Sequence, residues 1–372
     1  MFIHQNSGNM ILEKLQSIYA QFSNIDELVS YNQLASGHIN DTFLIKTKSN
    51  NSYILQQINH GVFKDIPGLI NNKVLVSKHL QKKLSHLSPS QLKRRVLSFI
   101  ETVEGGYYYL DNNGNYWNLM RFIDDSLTFE TVKDEEIAYE GGKLIGDFLN
   151  LTSDFDASQL IEVIPKFHDM SFRFSQFEDA TKVASVARLK QAKKYINLVW
   201  SLKDEMHIIQ NLKESGQIKT RVTHNDTKIS NVLFDSNKKG LCVIDTDTIM
   251  PGIVHYDFGD AIRTICNTAA EDESNLDLVG FNFEYYKAYE KGFLEKLESS
   301  LSSLEIKYLP LGAKTMIFIM ALRFLTDYLN EDIYYKTKYP EHNLDRAKNQ
   351  FKLIESLTEQ FEEMEIFSTI IK

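Results

Sequence analysis

The chain has only two cysteines in 372 residues, Cys242 and Cys266, so it holds no disulfide framework and no zinc-ligand spacing. Cys242 lies inside an apolar strand pattern, where a thiol serves as a small core side chain rather than a nucleophile. Neither cysteine stands in a Cys-x-Pro-x-Arg context, which removes sulfatase chemistry through a modified cysteine. A basic excess is also missing. Forty-one Lys and Arg face fifty Asp and Glu, for a net charge of -9. That balance argues against a broad nucleic-acid-binding face and against anionic membrane surfaces, and allows only a local basic pocket. No window approaches ~18 consecutive apolar residues. The opening MFIHQNSGNM lacks the basic start and apolar run of a secretory signal. The expectation is a cytoplasmic protein with neither membrane nor nucleic acid as partner. Internal repeats and low-complexity tracts are absent too.

What is present centres on residues 224–247, HNDTKISNVLFDSNKKGLCVIDTD. His224, Asp226 and Asn231 follow the spacing of the H-x-D-x-x-x-x-N loop used in phosphoryl transfer, and Asp245 closes the second strand of a predicted hairpin. The chemistry accounts for the pattern. One carboxylate, Asp226, accepts the proton of an attacking hydroxyl. Oxygen ligands, Asn231 and Asp245, hold the Mg2+ that bridges nucleotide phosphates. Val232–Phe234 and Leu241–Ile244 read as the strands, with residues 236–240 as their turn. A lone H-x-D would be an ordinary surface loop. The Asn at its proper offset and the strand-end Asp reverse that reading. His224 reads as a brace for the loop, and Asp257 and Asp260 as carboxylates that hold its backbone.

The rest of the chain fits an α+β, protein-kinase-like two-lobe fold. An amphipathic helix around Ile11–Phe22 precedes strands at Tyr31–Leu34, Thr42–Lys46 and Tyr53–Ile58. Leu69–Leu84 is a helix, Ser88-Pro89-Ser90 a break, and Val96–Glu101, Tyr107–Leu110 and Tyr116–Ile123 are further strands. After Asp125 the pattern is helical: residues 137–149, 186–212, 276–297, 308–329 and 344–361. The predicted boundaries are 1–123 for an antiparallel nucleotide-binding lobe and 124–372 for a helical lobe carrying the catalytic loop. In the first lobe the connector Ala35 to Asp41, with Gly37 and His38, is placed to bring backbone N–H groups over phosphates. The strand end at Arg121 and Ile123 offers exposed backbone to an adenine edge. Kinases of this fold carry a lysine on the third strand. Here Gln56 stands there; Lys46 on the neighbouring strand is a candidate substitute for it, with a solvated surface lysine as the competing reading.

The strings SGHINDTF (residues 36–43), YILQQIN (53–59), HNDTKISN (224–231), IDTDTIMPG (244–252), YDFGDAIRT (256–264) and RFLTDYLNEDIYYKTKYPEHNLDRAKNQ (323–350) carry a resemblance. They resemble the aminoglycoside phosphotransferase and choline kinase superfamily, most closely its N-acetylhexosamine 1-kinase branch. The resemblance implies an ATP- and Mg2+-dependent kinase acting on a small-molecule sugar. In it Asp226 faces the sugar hydroxyl, Asn231 and Asp245 bind metal, Arg323 and Tyr334 line the sugar site, and His38 sits over the phosphates or the sugar. Asp247, on the same strand face as Asp245, would hold a second metal or a sugar hydroxyl; a turn-capping role competes with this. Phe167, His168, Asp169 and Arg173 lie within reach of an acceptor in one reading and are plain packing contacts in the other. Arg323 lies on an apolar helix and needs a polar partner, which is either the substrate or Asp327. Two other readings remain open: a kinase of this fold for choline, ethanolamine, homoserine or an aminoglycoside, and a catalytically silent binding module that Gln56 alone supports.

Overall fold

The computed structural model describes residues 2–23, 26–34 and 39–371. The chain forms two compact units. One comprises Met1–Leu127, Ser158–Pro165 and Leu241–Met250; the other comprises Thr128–Ala157, Lys166–Gly240 and Pro251–Lys372.

The first unit opens with helix α1 (Phe2–Tyr19), followed by strands β1 (Leu28–Leu34), β2 (Asp41–Thr47) and β3 (Ser52–Ile58). Helices α2 (Ile66–Lys83) and α3 (Pro89–Arg95) come next, then β4 (Tyr109–Leu110) and β5 (Tyr116–Arg121). The five strands pair antiparallel in the order β1-β2-β3-β5-β4, with Gln56 opposite both Thr42 and Asn118. Phe43, Ile45, Tyr53, Leu55, Trp117 and Leu119 point to one face, where Leu15, Ile18 and Tyr19 of α1 cover them. This period-two burial is why the strands could be read from the sequence. Two features differ from expectation. Residues 88–90 do not break the chain; they start α3, with Ser88 as N-cap, Pro89 at the first helical position and a capping box closed by Gln91. Residues 96–101 then approach β5 only through single contacts, such as Ile100 N–H to Leu119 O (2.9 Å), and Tyr107–Leu110 shrinks to two residues behind Gly105 and Gly106, both at φ +89°.

The second unit is helical: α4 (Glu135–Leu151), α5 (Met170–Val183), α6 (Val186–Met206) and α7 (Ile208–Glu214), then strands β6 (Arg221–Thr223) and β7 (Val232–Phe234). β8 (Gly240–Val243) and β9 (Met250–Gly252) bound the segment 241–250 that belongs to the first unit. α8 (Val254–Ile265), α9 (Phe283–Leu297), α10 (Ser303–Lys307), α11 (Leu309–Leu329), α12 (His342–Glu359) and α13 (Phe361–Ile370) complete the chain. The turn 235–239 after β7 closes with Asp235 N–H to Lys239 O (2.9 Å). Two of the predicted helices are interrupted: 186–212 at His207, and 276–297 before Asn282, whose side chain caps α9. α4 and α9 meet backbone to backbone, because Gly142, Gly146 and Gly292 sit at the crossing. α11 is long and apolar enough to cross a membrane, with a mean hydropathy of 1.4, but 83% of that window is buried inside the protein. It is the core helix of this unit.

Candidate active site

The loop after β6 is shaped by α8. Asp257 and Asp260 are three residues apart, so both carboxylates face the loop from one side of the helix. Asp257 accepts the backbone N–H groups of His224 (2.8 Å) and Asn225 (2.7 Å), and Asp260 accepts that of Thr227 (3.0 Å). The Thr227 hydroxyl donates to the Asp257 carbonyl (2.5 Å). Asn225 adopts φ +64°, a left-handed turn that Asn tolerates better than most residues. The sequence reading of Asp257 and Asp260 as braces agrees with these bonds. Burial pushes the Asp257 carboxyl up to about 6, against the opposing pull of the His224 charge and the two backbone donors.

On this frame Asp226 and Asn231 come together. Asn231 Nδ2 donates to the Asp226 carboxylate (2.8 Å) and to its carbonyl (2.8 Å). Lys228 Nζ also reaches the carboxylate, at 3.0 Å. Burial pushes the Asp226 pKa up, but the charges of Lys228 and His224 and the bonds from Lys228 and Asn231 outweigh it, so the net shift is downward. The group is a carboxylate at neutral pH, able to orient a hydroxyl and accept its proton. His224 Nδ1 accepts the Asp226 N–H (3.3 Å), which is a bracing contact. Asn231 Oδ1 makes no hydrogen bond among the described residues, which leaves it available to a hard cation. Lys228 was missed at the sequence level; its signal was a cation two residues after the candidate base.

A second cluster of the same unit surrounds Arg323 on α11. Its guanidinium lies 5.2 Å from the Phe167 ring, 5.5 Å from Tyr335 and 5.9 Å from Tyr334. Asp327 does not pair with it. That carboxylate instead accepts the backbone N–H groups of Tyr334 (2.8 Å) and Tyr335 (2.9 Å) and the Asn343 amide (2.9 Å), which holds the two tyrosines beside Arg323. Arg323 therefore has aromatic walls and, among the described residues, no carboxylate within ion-pair distance. Arg173 is close enough for burial and the Arg323 charge together to pull its pKa down to about 10, and it donates to the Phe167 carbonyl (2.7 Å). His168, buried beside Phe167 and Tyr256 with neither ring nitrogen hydrogen-bonded among the described residues, is held neutral by burial and by the charges of Arg323, Arg173 and Lys213. Tyr256, whose ring lies 5.0 Å from that of His168, directly precedes Asp257, so the cluster adjoins the helix that braces the 224–231 loop. The Tyr335 hydroxyl is buried without a hydrogen-bond partner among the described residues.

In the first unit β8 stops at Val243. Asp245 follows in the left-handed region (φ +56°), exposed, and leads into a 3-10 turn, Thr246–Thr248. The expected strand face shared by Asp245 and Asp247 is therefore absent, because the backbone reverses between them. Asp247 is buried. Its carboxylate accepts Asn40 Nδ2 (2.5 Å) and Gln56 Nε2 (3.2 Å) and pairs with Lys73 Nζ, so it does not cap its own turn. Lys46 is exposed on β2. Arg121 is exposed with its guanidinium 5.8 Å from the Tyr53 ring, and its N–H bonds Ser98 O (2.9 Å). Ile123 lies beyond the end of β5, is buried, and its carbonyl accepts the Ser126 hydroxyl (2.7 Å). Gly37 and His38 lie outside the described residues. Asn40 and Lys73 were missed; the signal for Lys73 was a lysine at an apolar-register position of α2, between Ile70 and Ser77.

Among the described residues no three His, Cys, Asp or Glu side chains form a metal cage. A model of a phosphotransferase enzyme family matches residues 30–290. Similar solved structures include a microcompartment-associated aminopropanol kinase, at 15% identity and TM-score 0.62, covering 95% of this chain and 98% of that one. A choline kinase from Cryptosporidium parvum is 13% identical with TM-score 0.57, covering 96% and 99%. An ethanolamine kinase from Plasmodium vivax is 13% identical with TM-score 0.55, covering 87% and 82%. At these identities the likeness establishes the fold: an antiparallel sheet lobe and a helical lobe of the protein-kinase-like type.

Proposed function

Because the chain belongs to the phosphotransferase enzyme family, we propose that it transfers the γ-phosphoryl group of ATP, with Mg2+, to the anomeric hydroxyl of an N-acetylhexosamine. N-acetylglucosamine and N-acetylgalactosamine are the two candidate acceptors. Asp226 orients the hydroxyl and takes its proton as the phosphoryl group passes in line. Lys228 places a positive charge at the same carboxylate. Asn231 and Asp245 supply oxygen ligands of the hard type that Mg2+ takes alongside phosphate oxygens. When bound, the ion neutralises the charge on the phosphates. Arg323, Tyr334 and Tyr335 recognise the sugar by hydrogen bonding and by stacking on its faces.

The observation that carries the choice of acceptor is the Arg323–Arg173 cluster, packed through His168 and Tyr256 on the helix that braces the 224–231 loop, with aromatic walls and, among the described residues, no carboxylate partner for Arg323. The similar structures named above are described as kinases of aminopropanol, choline and ethanolamine, all amines. A cationic acceptor needs an acidic or aromatic cage without competing cations. Here it would meet Arg323, Arg173 and Lys213, while a neutral polyol with an amide meets donors it can use. The test is ADP release with Mg-ATP against N-acetylglucosamine, N-acetylgalactosamine, glucose, choline, homoserine and kanamycin, with Asp226→Asn as blank. Release confined to the N-acetyl sugars with loss of their reducing end is the expected result. Release with an amine transfers the reading to a choline- or aminoglycoside-type kinase.

A further inference from the structure

Kinases of this fold hold the nucleotide phosphates with a lysine on the third strand, itself held by a glutamate on the following helix. Both partners are exchanged here. The strand residue is Gln56, a neutral amide, and the helix after it, α2, carries a cation, Lys73. Lys73 is 3% exposed and its ammonium lies between Gln56 Oε1 (3.3 Å) and the Asp247 carboxylate. Asp247 is gripped from two more elements, by Asn40 at the start of β2 and by Gln56 on β3. The residue before Lys73 acts on the same segment: Asn72 Nδ2 donates to the carbonyls of Ile249 and Ile161, both at 2.9 Å. Consecutive residues of α2 thus hold the segment 246–249 at two points, Asp247 by a charge and the Ile249 carbonyl by an amide. Asp245 is the residue that enters this turn, exposed and in the left-handed region (φ +56°), which Asp adopts more readily than most side-chain-bearing residues and which sets the direction in which its carboxylate leaves the chain.

A buried ion pair is weak evidence of added stability, because desolvation offsets the attraction. Its better-attested use is to fix one arrangement. We propose that the Lys73–Asp247 pair is a positioning device that stands in place of the strand-lysine and helix-glutamate pair, with the cation on the helix and the carboxylate on the turn after β8. It ties α2 and β3 to the turn that aims the Asp245 carboxylate at the nucleotide's divalent ion. Lys73 acts through Asp247 and does not itself touch phosphate, since its ammonium is enclosed. Asp247 on this account serves as the anchor of the turn rather than as a ligand of a sugar hydroxyl. The inference rests on the reading of Asp245 as a metal ligand.

The experiment measures binding of N-methylanthraniloyl-ATP by fluorescence in Mg2+ and in EDTA, for the full chain and four variants: Lys73→Met, Lys73→Arg, the neutral pair Lys73→Met with Asp247→Asn, and Asp245→Asn. The wild type gains affinity on adding Mg2+. Asp245→Asn loses that gain. Lys73→Met and the neutral pair lower it tenfold or more with the EDTA affinity unchanged, and Lys73→Arg retains most of it. The neutral pair leaves no buried charge unpaired, so it provides a folded variant, checked by circular dichroism, if Lys73→Met does not fold. A folded neutral pair that keeps the full Mg2+ gain, while Asp245→Asn loses it, overturns the inference alone. An Asp245→Asn protein that keeps the gain overturns the metal-ligand reading, and the inference falls with it.

Discussion

Replacing Asp257 by Asn tests how the turn beneath Asp226 is held, and pH should expose the same dependence in the unaltered protein. Asp257 is fully buried, and its folded pKa of about 6 lies well above the ordinary 3.8, chiefly through burial. The difference corresponds to about 3 kcal/mol at 1.36 kcal/mol per tenfold. Because the folded value is raised, the folded chain binds more protons than the unfolded one between pH 3.8 and 6. This group's contribution to stability is therefore complete below 3.8 and lost as pH rises through 6. Activity should run the other way. A protonated Asp257 turns one of its oxygens into a donor that faces an amide, so His224 N–H or Asn225 N–H loses its acceptor. Asp226 stays ionised through this range, because its own pKa is lowered. The neighbouring carboxylate Asp260 is also raised, by burial first, but it is bonded by Arg263 at 3.0 Å.

The wild-type kcat should fall on an acid limb centred near 6, while the melting temperature contributed by this group rises. Asn has one acceptor oxygen where the carboxylate has two. Asp257→Asn should thus lower kcat about 10- to 100-fold at pH 8, the scale expected when a reacting group is misplaced by a fraction of an ångström. It should also flatten the profile between pH 5 and 8. Coupled ADP release at saturating substrate, with scanning fluorimetry on the same buffers, measures both quantities. A wild-type kcat that stays level down to pH 5, or a variant that keeps the same acid limb, refutes the reasoning.

Arg323→Met should raise the KM for the proposed N-acetylhexosamine acceptor about tenfold with a smaller change in kcat. It should leave the melting temperature nearly unaltered, since no ion pair is broken; an unchanged KM removes Arg323 from the acceptor site. Gly142→Ala puts a Cβ 2.1 Å from the Tyr289 carbonyl, a backbone atom that cannot swing aside. It should cost about 1–3 kcal/mol in urea unfolding despite the ~1 kcal/mol by which Ala favours a helix, and a midpoint at or above wild type would contradict the close α4–α9 contact. Glu290 is buried, and burial raises its pKa from 4.5 to about 7. Its stability contribution is lost as pH rises through about 7, so Glu290→Gln, which keeps an acceptor for the Ser368 hydroxyl (2.5 Å), should raise the melting temperature at pH 8 and not at pH 5.

Features whose cause is local were legible in the sequence. The spacing from Asp226 to Asn231 survives as a real contact because the two stand five residues apart in one short loop. Asp257 and Asp260 were legible as braces because two carboxylates one helical turn apart must face one side. Strands β2 and β3 were legible because alternation follows directly from the pleat. The helix α3 was not, since Ser-Pro-Ser reads equally as a stop and as an N-cap followed by proline at the first helical position, and only the reciprocal bond from Gln91 separates the two. Lys73 was hidden for another reason. Its role depends on which side of α2 meets residues 174 positions further along the chain, and a lysine at an apolar position of a helix looks like noise until that segment is in place.

Arg323 and Asp327 mark the limit most clearly. They stand four apart on one helix, so local rules favour an ion pair between them. The carboxylate goes elsewhere because the chain beyond α11 turns back with the N–H groups of Tyr334 and Tyr335 converging on it, and Asn343 joins them. Backbone donors in this partly buried turn converge on one point and compete there for a fixed acceptor. A half-buried guanidinium can stay hydrated or wait for a ligand. The competition for Asp327 is thus settled by the group with fewer alternatives. The arginine is left beside two tyrosines that the same carboxylate has positioned, and one helical position both builds the wall of the aromatic cluster and frees its cation.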